Sequence, residues 1–245
     1  QQQPRLRKLQ DYMELTPEAN EKLQELQNWT EAQQVFLFGL SVVSFSVGVR
    51  AGRFQNPWRR FTVVTDIPSS YFGDTAPFLR GRVVKVSDGD TIRFRHTPSI
   101  FQQSNSKLGE GEKMSDVALP IRICTIDTPE TAKFGKPGQP FGDEAKTHLS
   151  SMVENKIVHC KLLQKDQYGR TVAQVRIGWW PFYKYADAKM LQAGLAEVYT
   201  GSGAVYGREG KEAYFKMQEK TANSKKGMWS LEDRETAAEY KARTK

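Results

Sequence analysis

Two runs of alternating apolar and polar residues meet at Asp88-Gly89, and no other stretch restricts the possible folds as tightly. Arg82–Ser87 leads into the turn and Thr91–His96 leaves it, with Ile92 and Phe94 set between Thr91, Arg93 and Arg95. Asp-Gly is among the dipeptides that best supply the positive φ angles of a tight hairpin turn, so the segment predicts two antiparallel strands. Three more strand-like runs follow at Val117–Ile126, Ile157–Leu163 and Thr171–Ile177, the last two joined around Tyr168-Gly169. Residues 97–116 are rich in Ser, Gly and Lys and read as a long loop.

Between and after the strands the apolar period lengthens. Phe141–Glu154 places Ala145, Leu149 and Met152-Val153 on one helical face, and further helices are expected at about 182–193 and 208–223. Ser230 is expected to open a charged terminal helix, with Asp233 completing a capping box. Five short strands with helices between and behind them fit a small closed barrel of α+β character.

The first third of the chain has another pattern. Residues 1–34 are polar and partly helical, with Thr16-Pro17-Glu18 as a helix-start signal. No charged residue occurs between Glu31 and Arg50. At the helical rise, that gap covers roughly 27 Å, close to the hydrocarbon thickness of a bilayer. The reading is a transmembrane helix over residues 35–54; a buried core helix or an interfacial helix is the alternative. Arg50, Arg53, Arg59 and Arg60 follow the segment, while Glu25 and Glu31 precede it. The positive-inside rule then keeps the C-terminal part on the inner side, which is the matrix at the inner mitochondrial membrane or the cytosol at the endoplasmic reticulum. Residues 55–77 read as a linker, 78–230 as the folded domain and 231–245 as a charged C-terminal helix.

Charge and cysteine content narrow the function classes. The formal net charge is +8, which favours anionic partners such as nucleic acid, acidic lipid or acidic protein surfaces. Cys124 and Cys160 are the only cysteines, which rules out a disulfide scaffold and a cysteine zinc site; both lie in strand-like runs and read as buried thiols, with one disulfide between them left open. His96, His148 and His159 have no ligand spacing.

The chemically informative residues lie at predicted strand ends. Asp88-Gly89-Asp90-Thr91 forms the first turn, Arg122 stands on the third strand, Asp127-Thr128-Pro129-Glu130 ends it, and Asp166-Gln167-Tyr168-Gly169-Arg170 precedes the fifth. Hydrolysis of a phosphodiester needs a cation at the phosphate oxygens, an activated water and stabilisation of the transition-state charge. Asp90, Asp127 and Thr128 offer hard oxygen ligands suited to Ca²⁺. Pro129 keeps Thr128 extended, which could aim Glu130 back at the site. Arg122 and Arg170 carry planar forks that match phosphate geometry.

This combination resembles the staphylococcal nuclease-like family over about Arg80 to Ser230. The resemblance rests on the strand-DGDT turn, the R-x-x-x-x-D-T-P-E run from Arg122 to Glu130, D-x-Y-G-R at 166–170, Gly194-Leu195-Ala196 and the closing Gly227-Met228-Trp229-Ser230. His96-Thr97-Pro98 and the segment Phe134–Gly142 are similar to membrane-anchored thermonuclease-like endonucleases of fungal mitochondria. The resemblance implies an OB-type five-stranded barrel with three helices. It implies calcium held by Asp90, Asp127 and the Thr128 carbonyl, with Asp88 as a supporting acid. It further implies Glu130 as the water-activating base, Arg122 and Arg170 on the phosphate, and Tyr168 at the terminal phosphate. The chain departs from the family's pattern at Gln167, where the bacterial enzyme has a phosphate-binding lysine, and Tyr199 and Tyr206 are candidates for its nucleotide-stacking tyrosines.

The expected function is a membrane-anchored, calcium-dependent endonuclease for DNA or RNA, with single strands preferred and membrane lipid as a second partner. An accessory structural subunit of a large mitochondrial membrane complex that keeps the nuclease fold is the alternative. A nucleic-acid-binding module without catalysis is a third reading.

Overall fold

The computed structural model describes residues 59–99, 111, 113–132, 135–179 and 181–243. The predicted transmembrane helix over 35–54, the helix start at Thr16 and most of the 97–116 loop lie outside these residues. Among the described residues no helix is long and apolar enough to cross a membrane.

Alternation builds the first hairpin as expected, but its turn residues are Gly89 and Asp90 and neither takes a positive φ. β1 (Phe78–Asp88) runs antiparallel to β2 (Thr91–His96), with Asp88 paired to Thr91 across the turn. A register shift between Val83 and Lys85 bends β1, which lets one strand serve two neighbours. The single-turn helix α1 (Met114–Val117) leads into β3 (Leu119–Ile123), which pairs with β2. A short β4 (Ile126–Asp127) follows, then α2 (Gly142–Val153), β5 (Ile157–Lys165) and β6 (Thr171–Ile177). β5 pairs antiparallel with both β1 and β6, and β6 pairs parallel with β3. That last pairing closes a five-stranded barrel in the order β3-β2-β1-β5-β6. The expected OB-type α+β barrel is therefore present.

β7 (Lys184–Tyr185) extends the edge of β6 and runs into α3 (Ala186–Ala193). β8 (Glu197–Val198), α4 (Lys211–Asn223) and the terminal α5 (Ala237–Arg243) complete the chain. The helices α2, α3 and α4 are the three expected. One continuous core joins the barrel interior (Val83, Ile92, Phe94, Ile121, Ile123, Leu162, Val175) to the inner faces of α2 and α3 (Leu149, Met190, Leu191). Both cysteines are free and buried.

Three local readings need correction. The stretch from 59 to 77 is more than a linker: Phe61, Val64 and Ile67 belong to the core. Their spacing of three is satisfied by short 3-10 turns at Val64–Asp66 and Ser69–Tyr71, too brief to leave a periodic signal. The third strand does not run unbroken to Ile126. Thr125 takes φ +72, its N–H donates to the Val205 carbonyl and its hydroxyl accepts the Gly207 N–H, so the chain leaves the barrel and pairs β4 with β8 instead. The terminal helix starts later than Ser230, whose hydroxyl donates to the Gly227 carbonyl inside a 3-10 turn. Thr236 and Glu239 form the capping box: the Glu239 N–H donates to Thr236 Oγ1 and the Thr236 N–H to Glu239 Oε2.

His96 ties residue 61 to the barrel. Its Nδ1 accepts the Phe61 N–H at 3.1 Å, and its ring stacks on Phe61 with centroids 5.1 Å apart. Burial first, and then the nearby Arg60 charge, lower its pKa from 6.5 to about 4. The unfolded chain therefore takes up this proton before the folded one does, and stability is lost as pH falls through the window from 6.5 to about 4. We expect urea unfolding at pH 5 to give a stability roughly 2 kcal/mol below that at pH 7 from this residue alone. Replacing His96 with Gln should flatten that part of the profile; an unchanged profile would show that other groups set it.

Candidate active site

The breaks in regular structure are what assemble the site. Gly89 lets the hairpin turn approach the segment after β4: a Cβ there would lie 2.6 Å from Thr128 Oγ1 and 2.9 Å from its Cβ. Gly142 does the same on the other side, since a Cβ would lie 2.5 Å from the Glu130 carbonyl oxygen. The strand end 127–131 is thus held between the hairpin turn and the start of α2. Asp88 fastens it further, its Oδ1 accepting from the Gly89 N–H at 3.1 Å and from Thr131 Oγ1 at 3.2 Å. Gln139 accepts the Glu130 N–H at 3.0 Å and donates its own backbone N–H to the Glu130 carbonyl at 2.8 Å.

Arg122 bridges the two candidate metal ligands. Its Nη1 donates to Asp90 Oδ2 at 2.5 Å, and its Nη2 donates to Asp127 Oδ1 at 2.8 Å and to the Ile126 carbonyl at 3.3 Å. The side chains of Asp90 and Asp127 are only 7% and 6% exposed, so the two charges share a dry site. Burial alone would lower the Arg122 pKa, but Asp90 and Asp127 outweigh it and hold the guanidinium firmly charged. The same guanidinium lies over the Tyr199 ring, 5.4 Å from its centroid. Tyr199 is held there by its N–H to the Thr125 carbonyl, the residue that breaks the strand.

Glu130 sits beside this pair at the rim, with its side chain 24% exposed. Burial, and then the carboxylates of Asp88 and Asp90, raise its pKa, while the Lys241 ammonium opposes them. Lys241, from α5, donates to both oxygens of Asp127 at 2.9 and 3.0 Å and lies 3.1 Å from Glu130 Oε1. Sequence reasoning missed it, because nothing in the spacing of the C-terminal residues points back to a strand end more than a hundred positions earlier.

The 166–170 motif has a different job in each half. Asp166 shapes the loop: its Oδ1 accepts the backbone N–H of Tyr168 and of Arg170, and its Oδ2 pairs with Arg170 Nε at 2.6 Å. Arg170 immediately precedes β6, and Val172 in that strand pairs with Arg122 of β3. The two arginines therefore rise from adjacent strands, although the structure gives no direct contact between Arg170 and the Asp90–Asp127 group. Tyr168 is 74% exposed, with the Arg170 guanidinium 5.5 Å from its ring centroid.

A second, fully buried polar cluster supports the site from behind. Tyr214 Oη donates to Asp187 Oδ2 at 2.8 Å, Gln174 Nε2 donates to Tyr214 Oη and Asp187, and Gln174 Oε1 accepts the Arg208 N–H. Burial raises the Asp187 pKa. This cluster anchors the 205–208 segment, which in turn holds Thr125.

Among the described residues, no three His, Cys, Asp or Glu side chains converge closely enough to bind a metal alone. Calcium asks for less, because it takes about six to eight oxygens, many of them carbonyls or water. Two buried carboxylates reaching one shared cationic group, with the Ile126 carbonyl on the same guanidinium, are hard-oxygen donors of the kind that ion takes.

The barrel, with two strand-end carboxylates bridged by Arg122, fits a nuclease-type phosphodiesterase of the OB-barrel class. Residues 120–231 match the family model described as staphylococcal nuclease homologue. The chain is 42% identical over 209 residues to endonuclease Htp3 of Saprolegnia parasitica, covering 83% of this chain and 96% of that protein. It is 31% identical over 221 residues to the probable endonuclease LCL3 of Komagataella phaffii, covering 85% and 96%. It is 34% identical over 212 residues to that of Candida tropicalis, covering 82% and 90%. The chain belongs to the staphylococcal nuclease-like family of nuclease hydrolases.

Proposed function

We propose that this protein is a calcium-dependent endonuclease that hydrolyses phosphodiester bonds in DNA or RNA, with single strands preferred. The observation that carries the reading is the bridging of two buried carboxylates, Asp90 and Asp127, by Arg122 with Glu130 at the open side. Asp90, Asp127 and the Thr128 carbonyl would hold calcium, and Asp88 would steady the turn that carries Asp90. When bound, calcium supplies positive charge at the phosphate oxygens. Glu130 takes a proton from the attacking water, and its raised pKa makes it a better base than an ordinary carboxylate. Arg122 and Arg170 bind the phosphate and the charge that builds on it. Tyr168 and Tyr199 offer exposed and half-buried rings for unpaired bases or the terminal phosphate, which suits single strands. The accessory-subunit reading has less support, because Asp90, Arg122, Asp127 and Glu130 stand together at one strand-end site.

The test is cleavage of denatured and GC-rich duplex DNA by the full chain at matched salt, with calcium or with excess EGTA. We expect cleavage with calcium only, and faster on the denatured strand. Full activity in EGTA would overturn the calcium assignment, and equal rates on both substrates would overturn the strand preference.

The membrane reading rests on sequence. The uncharged run between Glu31 and Arg50, with arginines after it, supports a single-pass anchor in the inner mitochondrial membrane with the nuclease domain in the matrix, or at the endoplasmic reticulum facing the cytosol. The chain should stay with carbonate-washed membranes; release into the wash would reject the anchor.

A further inference from the structure

Lys241 stands where a cation belongs. Its ammonium touches both oxygens of Asp127 and one of Glu130, within 3.1 Å of each. Together with Arg122 it covers both carboxylates of the calcium reading, Asp90 and Asp127, and the base candidate Glu130. This lysine is no chance neighbour on a loose tail, because the segment that carries it is anchored at several independent points. Gln139 Nε2 donates to the Glu235 and Thr236 carbonyls. Arg234 pairs with Glu197 at 2.7 Å, and the Ala237 N–H donates to the other Glu197 oxygen. Tyr240 is 5% exposed, and its hydroxyl donates to the Pro137 carbonyl. The Thr236–Glu239 capping box starts the helix in the position that aims Lys241 at the site. The segment lies beyond residue 231, where the match to the family model ends.

We propose that Lys241 is a tethered competitor for the divalent cation, so that the C-terminal helix sets how tightly this nuclease binds its metal. The proposal rests on the reading of Asp90 and Asp127 as calcium ligands. The physical argument is one of shared charge. Asp127 offers two oxygens, and the ammonium engages both. A dication arriving at that carboxylate must displace the lysine or lie against a like charge about 3 Å from its own ligand. Either course weakens binding by the worth of a close ion pair whose carboxylate is buried and whose ammonium is partly exposed. The lysine also neutralises the carboxylates when no metal is bound, and so stabilises the folded chain in that state. Calcium binding and release of Lys241 are then the same event seen from two sides, and a displaced ammonium beside Glu130 is free to meet substrate phosphate.

The experiment is isothermal titration of calcium into the full chain and into Lys241→Met and Lys241→Arg variants, with thermal unfolding of each in EGTA and in saturating calcium. Lys241→Met should bind calcium about tenfold more tightly or better. Lys241→Arg, which keeps the charge, should stay near the parent. In EGTA the Met variant should melt below the parent, and calcium should raise its melting temperature by more than it raises the parent's. A lysine that merely props the helix would lower both melting temperatures equally. Unchanged or weaker calcium binding by Lys241→Met, beside normal binding by the parent, would overturn the competitor role and leave the calcium site standing. Absence of calcium binding in all three proteins would overturn the calcium reading itself, and the competition with it.

Discussion

Glu130→Gln should lower kcat by about 10²–10⁴-fold, the usual worth of a positioned general base, with little change in melting temperature. The replacement keeps the shape and the backbone bonds to Gln139, which involve the Glu130 N–H and carbonyl rather than its side chain. It removes only the carboxylate that accepts a proton, and with it the negative charge that Glu130 sets beside Lys241. The wild-type rate should also carry the mark of this residue in its pH dependence. A base works in its ionised form, so activity is lost as pH falls through the Glu130 pKa. Burial and the neighbouring Asp88 and Asp90 carboxylates place that pKa above the ordinary glutamate value. The acidic limb should therefore disappear from what little rate the Gln variant retains. A variant with near-normal kcat would move the base elsewhere.

Much of this arrangement was legible in the sequence because it depends on short-range signals. The alternation on either side of Gly89 specifies the first hairpin, and the barrel's remaining strands announce themselves in the same way. Asp90, Arg122, Asp127 and Glu130, which the structure brings together, stand out in the sequence for a related reason: they lie at or near strand ends, where backbone pairing stops and side chains are free to converge. What the sequence hid was decided by distant groups. The left-handed turn at Thr125 has no glycine to mark it and is held by Val205, Gly207 and Tyr199. Two capping-box patterns occur within ten residues of each other, at Ser230/Asp233 and Thr236/Glu239. The first is lost because Ser230 is already committed to the Gly227 carbonyl in a tight turn. The spacing of Phe61, Val64 and Ile67 was too short to rise above a loop, yet their burial completes the core. Lys241 had no local signature at all, since only the closure of the C-terminal segment over Gln139 and Glu197 brings it to Asp127.

The two arginines look equivalent in the sequence but should part company when removed. Arg170→Ala should cost the rate on the order of 10³-fold or more, the range in which a transition-state arginine acts, while leaving stability close to the parent. Its partner Asp166 keeps two backbone N–H donors, from Tyr168 and from residue 170 itself, so the loop survives without the guanidinium. Arg122→Ala should lose a comparable rate and also destabilise the metal-free chain by roughly 3 kcal/mol, because it strands charge in a dry place. Among the described residues, Asp90 would keep only the Thr91 hydroxyl as a side-chain donor and Asp127 only the Lys241 ammonium. Saturating calcium should return most of that lost stability, since the ion supplies the positive charge that the guanidinium gave. It should not return the rate, because an arginine that meets the phosphate has no substitute in the site. Thermal unfolding in EGTA and in calcium, paired with single-turnover cleavage, separates the two effects. Equal melting temperatures for the two variants in EGTA would show that Arg122 carries no more of the site's charge balance than Arg170 does.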